Sequence, residues 1–106
     1  MASEIKVNTI KDLGGNTVLT SNGSGTVSYN THILPNSNNA LDLGSASASW
    51  RNVYTGDLHL SNKNHDKGND IDNTKGNWTI QEGENNLYLI NNKNKKKYKF
   101  NLEEVE

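Results

Sequence analysis

The sequence contains no cysteine and only one proline among its 106 residues. The lack of cysteine excludes a disulfide framework and any thiolate metal site. No apolar run approaches the roughly 20 residues that a membrane-spanning helix needs, so we expect no membrane insertion. The first residues, Met1 to Glu4, lack the basic and apolar regions of a signal peptide. We therefore expect synthesis in a cytosol without export through the Sec pathway.

A strong net charge is also missing. Eleven basic and 12 acidic side chains leave a formal net charge of −1, which gives no long-range field to attract nucleic acid or an anionic membrane. The same low charge argues against disorder, although Leu, Ile, Val and Phe together make up only about a fifth of the chain. The composition therefore predicts a folded protein with a thin apolar core and no nucleic-acid partner.

Asparagine takes the place of the missing apolar residues. The chain has 19 asparagines and nine glycines, and both residue types tolerate left-handed backbone conformations and form turns. So many turn formers predict short strands joined by many turns. Because a monomer of this size with few apolar residues would be marginally stable, we expect a homotrimer whose chains cover one another's apolar faces.

The most informative segment extends from Leu41 to Asn62. A Gly/Ser/Ala stretch at 44–49 precedes Trp50-Arg51-Asn52-Val53-Tyr54. The run Leu58-His59-Leu60-Ser61 alternates strictly, which predicts a strand because successive side chains of an extended chain point to opposite faces. Gly56-Asp57 marks the break between this strand and the preceding one at 50–54.

The order Leu-Gly-Ser, spacer, Trp50, polar pair, Val-Tyr54 resembles a segment that recurs in phage tail fibres and related virion proteins. The closing segment from Trp78 to Leu102 is similar to the end of virion structural proteins from cyanophages and other marine phages. Together the two segments, residues 41–62 and 78–102, cover a little under half of the chain. They imply an elongated, intertwined homotrimer with a structural role, and they carry no catalytic residues to transfer.

The first part of the chain predicts strands and hairpins. Residues 3–10 alternate loosely and predict a strand, which a turn at 11–16 follows. Residues 17–20 and 26–29 are rich in β-formers and predict two further strands. Between them, Asn22-Gly23 is a strong hairpin signal.

The region between these strands and the tail-fibre-like segment contains His32-Ile33-Leu34-Pro35. Proline cannot donate a ladder hydrogen bond, so the predicted strand should end at Pro35 or lie at an edge.

The last third predicts a three-stranded antiparallel meander, with strands at 78–82, 87–90 and 97–102 joined by two short loops. We expect its aromatic and aliphatic residues to share buried faces. The structural anchors predicted for the whole chain are Trp50, Tyr54, Trp78, Tyr98 and Phe100, and Ile80 and Leu102 would lie beside the last three.

These elements divide the chain into four parts. Residues 1–30 form an amino-terminal hairpin segment for attachment to the virion, and residues 31–62 form the tail-fibre-like repeat. Residues 63–76 are a polar loop, which we expect to be solvent-exposed and whose order the sequence leaves open. Residues 77–106 form the carboxy-terminal meander.

Three aspartates in the polar loop, Asp66, Asp70 and Asp72, are weak candidates for a divalent cation, since hard oxygen ligands on a flexible loop suit calcium. Their spacing does not match an EF-hand, and we favour a solvated loop. His32 is a further weak candidate, because a histidine on the axis of a trimer meets its symmetry copies and can hold a metal or an anion. For His32, as for His59 and His65, we favour an exposed or interface histidine, and we expect no cofactor.

A basic run at Lys93, Lys95, Lys96 and Lys97 precedes Tyr98. Basic residues beside aromatics can bind nucleic acid or an anionic sugar, but charge also protects a sheet edge from aggregation, and we favour the second interpretation. No nucleophile–base pair, phosphate loop or carboxylate pair has a suitable spacing, so we do not expect an enzyme.

The sequence thus predicts an all-β homotrimer of short antiparallel strands and hairpins that acts as a mechanical component of a phage virion. Its partners would be other proteins of the tail, baseplate, collar or capsid. Two alternatives are a fibre tip that recognises host carbohydrate and a monomeric carbohydrate-binding module.

Overall fold

A computed structural model of the chain describes residues 3–106, and all regular elements in this range are β-strands. The strands form two antiparallel sheets, which confirms the predicted all-β class. The chain divides into two compact units, Met1–Asn36 and Ser37–Glu106. No helix long and apolar enough to cross a membrane occurs among residues 3–106.

The first unit contains a three-stranded sheet in the order β1-β2-β3. Ile10 of β1 pairs with Leu19 of β2, which pairs in turn with Tyr29 of β3, so one apolar row crosses the sheet. The strand bounds are Thr9–Lys11 for β1, Thr17–Ser21 for β2 and Val27–Tyr29 for β3.

Both turns of this sheet are held by short polar side chains. At the first turn, the Asp12 carboxylate accepts the Asn16 N–H at 2.9 Å. At the second, the Asn22 side-chain oxygen accepts the N–H groups of Ser24 at 2.7 Å and Thr26 at 3.2 Å. Gly23 has a φ of 77° there, a conformation that glycine adopts without strain. The predicted Asn22-Gly23 hairpin is therefore confirmed.

The prediction of a strand over residues 3–10 is wrong in its bounds, because β1 begins only at Thr9. The partner strand explains the difference. β2 ends at Ser21, whose N–H donates to the Asn8 carbonyl at 2.7 Å, and the chain then turns away. Residues 3–7 consequently have no strand beside them.

The predicted strands at His32–Leu34 and Trp50–Tyr54 are also absent from the single chain. Between Tyr29 and Leu58, strand-type backbone pairing is limited to an isolated bridge from Ser45 to Ala48. A strand needs a neighbour for its N–H and C=O groups, and the chain supplies none for these residues.

The second unit contains a four-stranded sheet in the order β4-β5-β6-β7. Its last three strands cover most of the residues predicted for the closing meander, and β4 pairs with β5 as a fourth strand. β7 ends before the predicted Leu102, because β6 begins at Leu87, whose carbonyl accepts the Phe100 N–H at 3.0 Å. The bounds are Leu58–Ser61 for β4, Asn77–Glu82 for β5, Leu87–Asn91 for β6 and Lys97–Lys99 for β7.

The register of this sheet separates apolar from polar side chains. Leu58 pairs with Ile80, Ile80 with Leu89, and Leu89 with Tyr98, so one row of apolar residues crosses all four strands. Side chains two residues away lie on the same face. The surface that we call the apolar face consists of Leu58, Leu60, Trp78, Ile80, Leu87, Leu89, Tyr98 and Phe100.

The opposite surface, which we call the polar face, carries the alternate residues of the same strands. His59 lies there, as its alternation with Leu58 and Leu60 predicts, opposite Thr79. The other members are Ser61, Asn77, Gln81, Tyr88, Ile90, Lys97 and Lys99.

No apolar side chain is buried among residues 3–106. The apolar face carries Trp78, Tyr98 and Phe100 as the sequence predicts, but the single chain leaves all three at least partly exposed. Trp50 is 64% exposed and Tyr54 is 92% exposed. The single chain therefore does not bury the anchor residues that the sequence predicts to be buried.

The buried residue in this range is polar: Thr79 is 4% exposed. The Asn92 amide donates to its hydroxyl oxygen at 2.8 Å, and the hydroxyl lies 3.0 Å from Nδ1 of His59. The hydroxyl oxygen has a second lone pair and a proton, so the direction of its bond with His59 follows from the tautomer of the imidazole. These three side chains tie together β4, β5 and the end of β6.

We predict that Thr79→Val lowers the free energy of unfolding by about 1–3 kcal/mol, because valine fills the same space but leaves the partners of a buried hydroxyl unpaired. Thr20→Val is the matched control, since Thr20 is exposed on β2 and its replacement should change stability by less than about 0.5 kcal/mol. Urea unfolding of both variants measures the difference, and equal midpoints would contradict the prediction.

Candidate functional site

The connection from β4 to β5, residues 62–76, contains the predicted polar loop at 63–76, is the longest connection inside the second sheet and is closed by side-chain amides. Asn62 holds its two ends together, since its Oδ1 accepts the Gly76 N–H at 2.7 Å and its Nδ2 donates to the Thr74 carbonyl at 3.2 Å. These bonds span 14 and 12 residues. The loop is exposed as predicted, and its backbone is extensively hydrogen-bonded.

Asn69 organises the tip of the loop. Its Oδ1 accepts the N–H groups of Ile71 at 2.7 Å and Asp72 at 3.0 Å. Its Nδ2 donates to the Asp72 carboxylate at 2.8 Å and the Thr74 carbonyl at 3.1 Å. One amide side chain therefore fixes a stretch of backbone that has no apolar contacts to hold it.

Asp72 belongs to this network. One of its carboxylate oxygens accepts the Thr74 hydroxyl at 2.7 Å and the Thr74 N–H at 3.1 Å. The Thr74 hydroxyl is the largest of the influences that lower the pKa of Asp72, followed by the Asn69 amide. In the same way, the Asn16 N–H lowers the pKa of Asp12 in the first unit. Both carboxylates stabilise turns.

The predicted cation ligands are only partly brought together. Asp66 and Asp70 line an open cavity of about 620 Å³ with His65, and the Lys67 side chain lines the same cavity. Asp72 does not line it. In the part of the chain that the structure describes, no three carboxylate or imidazole groups are arranged to hold a metal ion. His32 lies exposed in the first unit.

A second cavity, of about 360 Å³, lies beside Trp78. The indole lies close to Gly76, where an added Cβ would come within 3.1 Å of its Nε1. An aromatic ring next to amide and hydroxyl groups has the chemistry of many small-molecule sites. Here the amides of Asn62 and Asn69 are already engaged within the loop, so the wall offers few unpaired polar atoms. The cavity is lined by Leu60, Ser61, Asn62, Asn69, Thr74, Gly76 and Trp78.

Lysines from three distant positions, Lys63, Lys75 and Lys93, line a smaller hollow of about 230 Å³. The Lys75 ammonium donates to the His65 carbonyl at 2.6 Å. Sequence reasoning missed this grouping, because only the register of β4, β5 and β6 brings the three residues to one end of the sheet.

The predicted basic run lies where β6 turns into β7. Its turn is built by Asn91, whose side-chain oxygen accepts the N–H groups of Lys93 at 3.0 Å and Asn94 at 3.3 Å. Lys95 adopts a φ of 68°. β7 is an edge strand, so the lysines lie where charge discourages pairing with another sheet.

Comparison with known proteins gives no relative. No family model matches the chain, and neither a curated protein nor a solved structure is similar to it. The surfaces and side-chain networks of the chain are therefore the basis for assigning a function.

We predict that Gly68→Ala disrupts the loop, because a Cβ at Gly68 would collide with the backbone carbonyl of Asn73 and approach the Thr74 nitrogen to 2.8 Å. Overpacking of this kind costs typically about 1–3 kcal/mol. Gly56→Ala is the control, since a Cβ there meets nothing within 4 Å. Proteolysis at Lys67 should become faster in Gly68→Ala alone, and equal cleavage rates in the two variants would show that the loop tolerates the side chain.

We predict a pH-dependent difference between the parent chain and Asp72→Asn. The pKa of Asp72 is lowered from 3.8 in the folded state, so its charged form stabilises the fold at pH values above 3.8. That contribution is lost as the pH falls through the lowered folded value. Asp72→Asn should therefore melt at a lower temperature near neutral pH, and the gap should close in acid. A gap that stays constant down to pH 2 would contradict this assignment.

Proposed function

We propose that the chain is a structural protein of a phage virion that acts as a homotrimer. It would form part of a tail fibre, a baseplate or collar, or a fibre on the capsid surface. The resemblance of residues 41–62 and 78–102 to virion proteins supports the assignment. The observation that carries it is the absence of any buried apolar side chain among residues 3–106, because such a chain needs other molecules to cover its apolar surface.

The exposed apolar side chains support association. Leu43 is 79% exposed, Val53 71% and Tyr54 92%. Monomeric proteins rarely expose large apolar patches, and obligate interfaces between chains are rich in such residues.

The tail-fibre-like repeat supports the same proposal. Gly44 has a φ of 83° and closes a tight loop, in which Ser45 and Ala48 exchange backbone hydrogen bonds of 3.0 and 3.3 Å. An added Cβ at Gly44 would lie 3.5 Å from the Trp50 ring, so the indole packs on this loop. Trp50 is still 64% exposed, and the segment also exposes most of the side chains of Leu41, Leu43, Val53 and Tyr54.

In this function the chain performs no chemistry. Residues 1–30 would attach to the virion, the repeat would intertwine with its copies, and the closing sheet would end the assembly. Trimeric intertwining gives mechanical resistance, because chains paired by backbone hydrogen bonds separate only when many bonds break together.

A second candidate function, recognition of host carbohydrate at a fibre tip, is favoured by the cavity beside Trp78. The indole of Trp78 is half-buried, and its accessible part offers a flat apolar surface on which a sugar ring can stack. Binding to a glycan array distinguishes a receptor-binding tip from a scaffold.

Mass spectrometry of purified phage particles tests the proposal directly. The chain should be present in a copy number divisible by three. In solution, light scattering should give about three times the 11.7 kDa chain mass. A single chain mass across a wide range of dilution would refute the trimer and favour the monomeric carbohydrate-binding module.

We predict that Trp50→Ala lowers the melting temperature sharply, because burial of the indole between chains makes its removal cost about 3–5 kcal/mol. Leu13→Ala is the control, since Leu13 lies fully exposed in the turn after β1 and its loss should change stability by less than about 0.5 kcal/mol. An unchanged melting curve for Trp50→Ala would show that the residue stays on the surface of the assembly.

A further inference from the structure

The register of the four-stranded sheet places a row of apolar residues across all four strands on the apolar face. We infer that copies of this chain meet through this face and that the polar face points outward. The inference rests on the proposed function, because it takes the trimer as given and identifies the surface that forms it.

The two faces of the sheet differ in what their burial would cost. Across the strands, the apolar row is Leu58, Ile80, Leu89 and Tyr98, and no charge interrupts it. On the other side, β7 contributes two charged side chains, Lys97 and Lys99. Burying an unpaired ammonium is expensive, so association through the polar face is disfavoured.

The polar face is also already closed by its own hydrogen bonds. Thr79 is buried beneath the side chains of His59 and Asn92. Near the other end of β5, the Gln81 amide donates to the Asp57 carboxylate at 3.1 Å. These groups are satisfied within one chain and leave little for a partner to add.

Aromatic residues give the apolar face its anchors. The rings of Trp78 and Tyr98 lie 5.9 Å apart at an angle of 41° and meet across β6. Tilted pairs at this distance attract each other, and Trp and Tyr are enriched among the residues that dominate interface energies. Tyr98 remains 46% exposed, so the pair still has surface to contribute. Glu82 and Asn91 lie at the two ends of the face, where an interface has its polar rim.

The width of the sheet suits three copies. Four strands spaced about 4.8 Å apart make a sheet roughly 19 Å wide, and three such sheets arranged as a triangular prism lie about 5.5 Å from the central axis. Side chains of packed sheets fill about 5 Å on each side of an interface, since sheets stack about 10 Å apart. Three apolar faces would therefore fill the prism without a large void.

The absence of cysteine from the sequence allows a direct test with single-cysteine variants of the full chain. Leu89 and Ile90 are neighbours on β6 that are both partly buried and lie on opposite faces. We expect a bismaleimide to cross-link pairs of Leu89→Cys chains into dimers on a denaturing gel, with the third chain of each trimer left single because each chain has one thiol, and to leave Ile90→Cys entirely as single chains. A monofunctional maleimide should react with Leu89→Cys at least about tenfold more slowly than with Ile90→Cys, because reaction would need transient opening of the interface.

A second pair of cysteine variants provides the same test if Leu89→Cys does not fold. Tyr98 and Lys99 are exposed neighbours on β7, and Tyr98→Cys should cross-link where Lys99→Cys does not. Circular dichroism verifies that each variant keeps the β-sheet signal.

Three results would overturn the inference, and they differ in what they say about the trimer. If light scattering shows a trimer in which Ile90→Cys and Lys99→Cys cross-link instead, the copies meet elsewhere and the proposed function survives. If the chain is a monomer and Leu89→Cys reacts freely, both proposals fail. If the chain is a monomer and Leu89→Cys is protected, the face is covered by another part of the same chain.

Discussion

Pairing of backbone groups between neighbouring strands is the interaction on which this structure depends. With no apolar side chain buried among residues 3–106, there is no core against which a strand could be held without a partner. Regular structure accordingly occurs only where the chain brings two segments side by side, and it stops where one of them turns away. β1 begins opposite the end of β2, and β7 ends opposite the start of β6. The long stretch between β3 and β4 has no strand paired with it and contains a single bridge.

In this chain, asparagine side chains hold segments of backbone together, as buried apolar side chains do in most proteins. Asn62 and Asn92 bind groups that are distant along the chain, and Asn69 binds several groups of its own loop. An amide offers a donor and an acceptor together, so one side chain can satisfy several backbone groups. Such a network works at a water-exposed surface. It leaves the apolar residues available for contacts with other molecules, which links the composition of the chain to the proposed assembly.

Local signals in the sequence predicted the turns and the direction of side chains. The Asn22-Gly23 pair predicted the hairpin, and the strict alternation around His59 predicted the face of the sheet on which His59 lies. Strand ends were predicted less well, because they depend on the length of a partner and not on the strand's own residues. The order of the polar loop could not be judged from its composition, since the bond from Asn62 to Gly76 spans 14 residues. The grouping of Lys63, Lys75 and Lys93 also required the register of the sheet.

The two edges of the four-stranded sheet are chemically unequal. β7 carries Lys97 and Lys99 and follows a lysine-rich turn, whereas β4 has no charged side chain. A ribbon that grows by joining edge to edge needs a receptive strand on both sides of every unit, and the positive charge on β7 removes one of them. The charge on β7 therefore works against open-ended growth of the sheet. In the proposed assembly, this inequality between the edges would favour a component of fixed size.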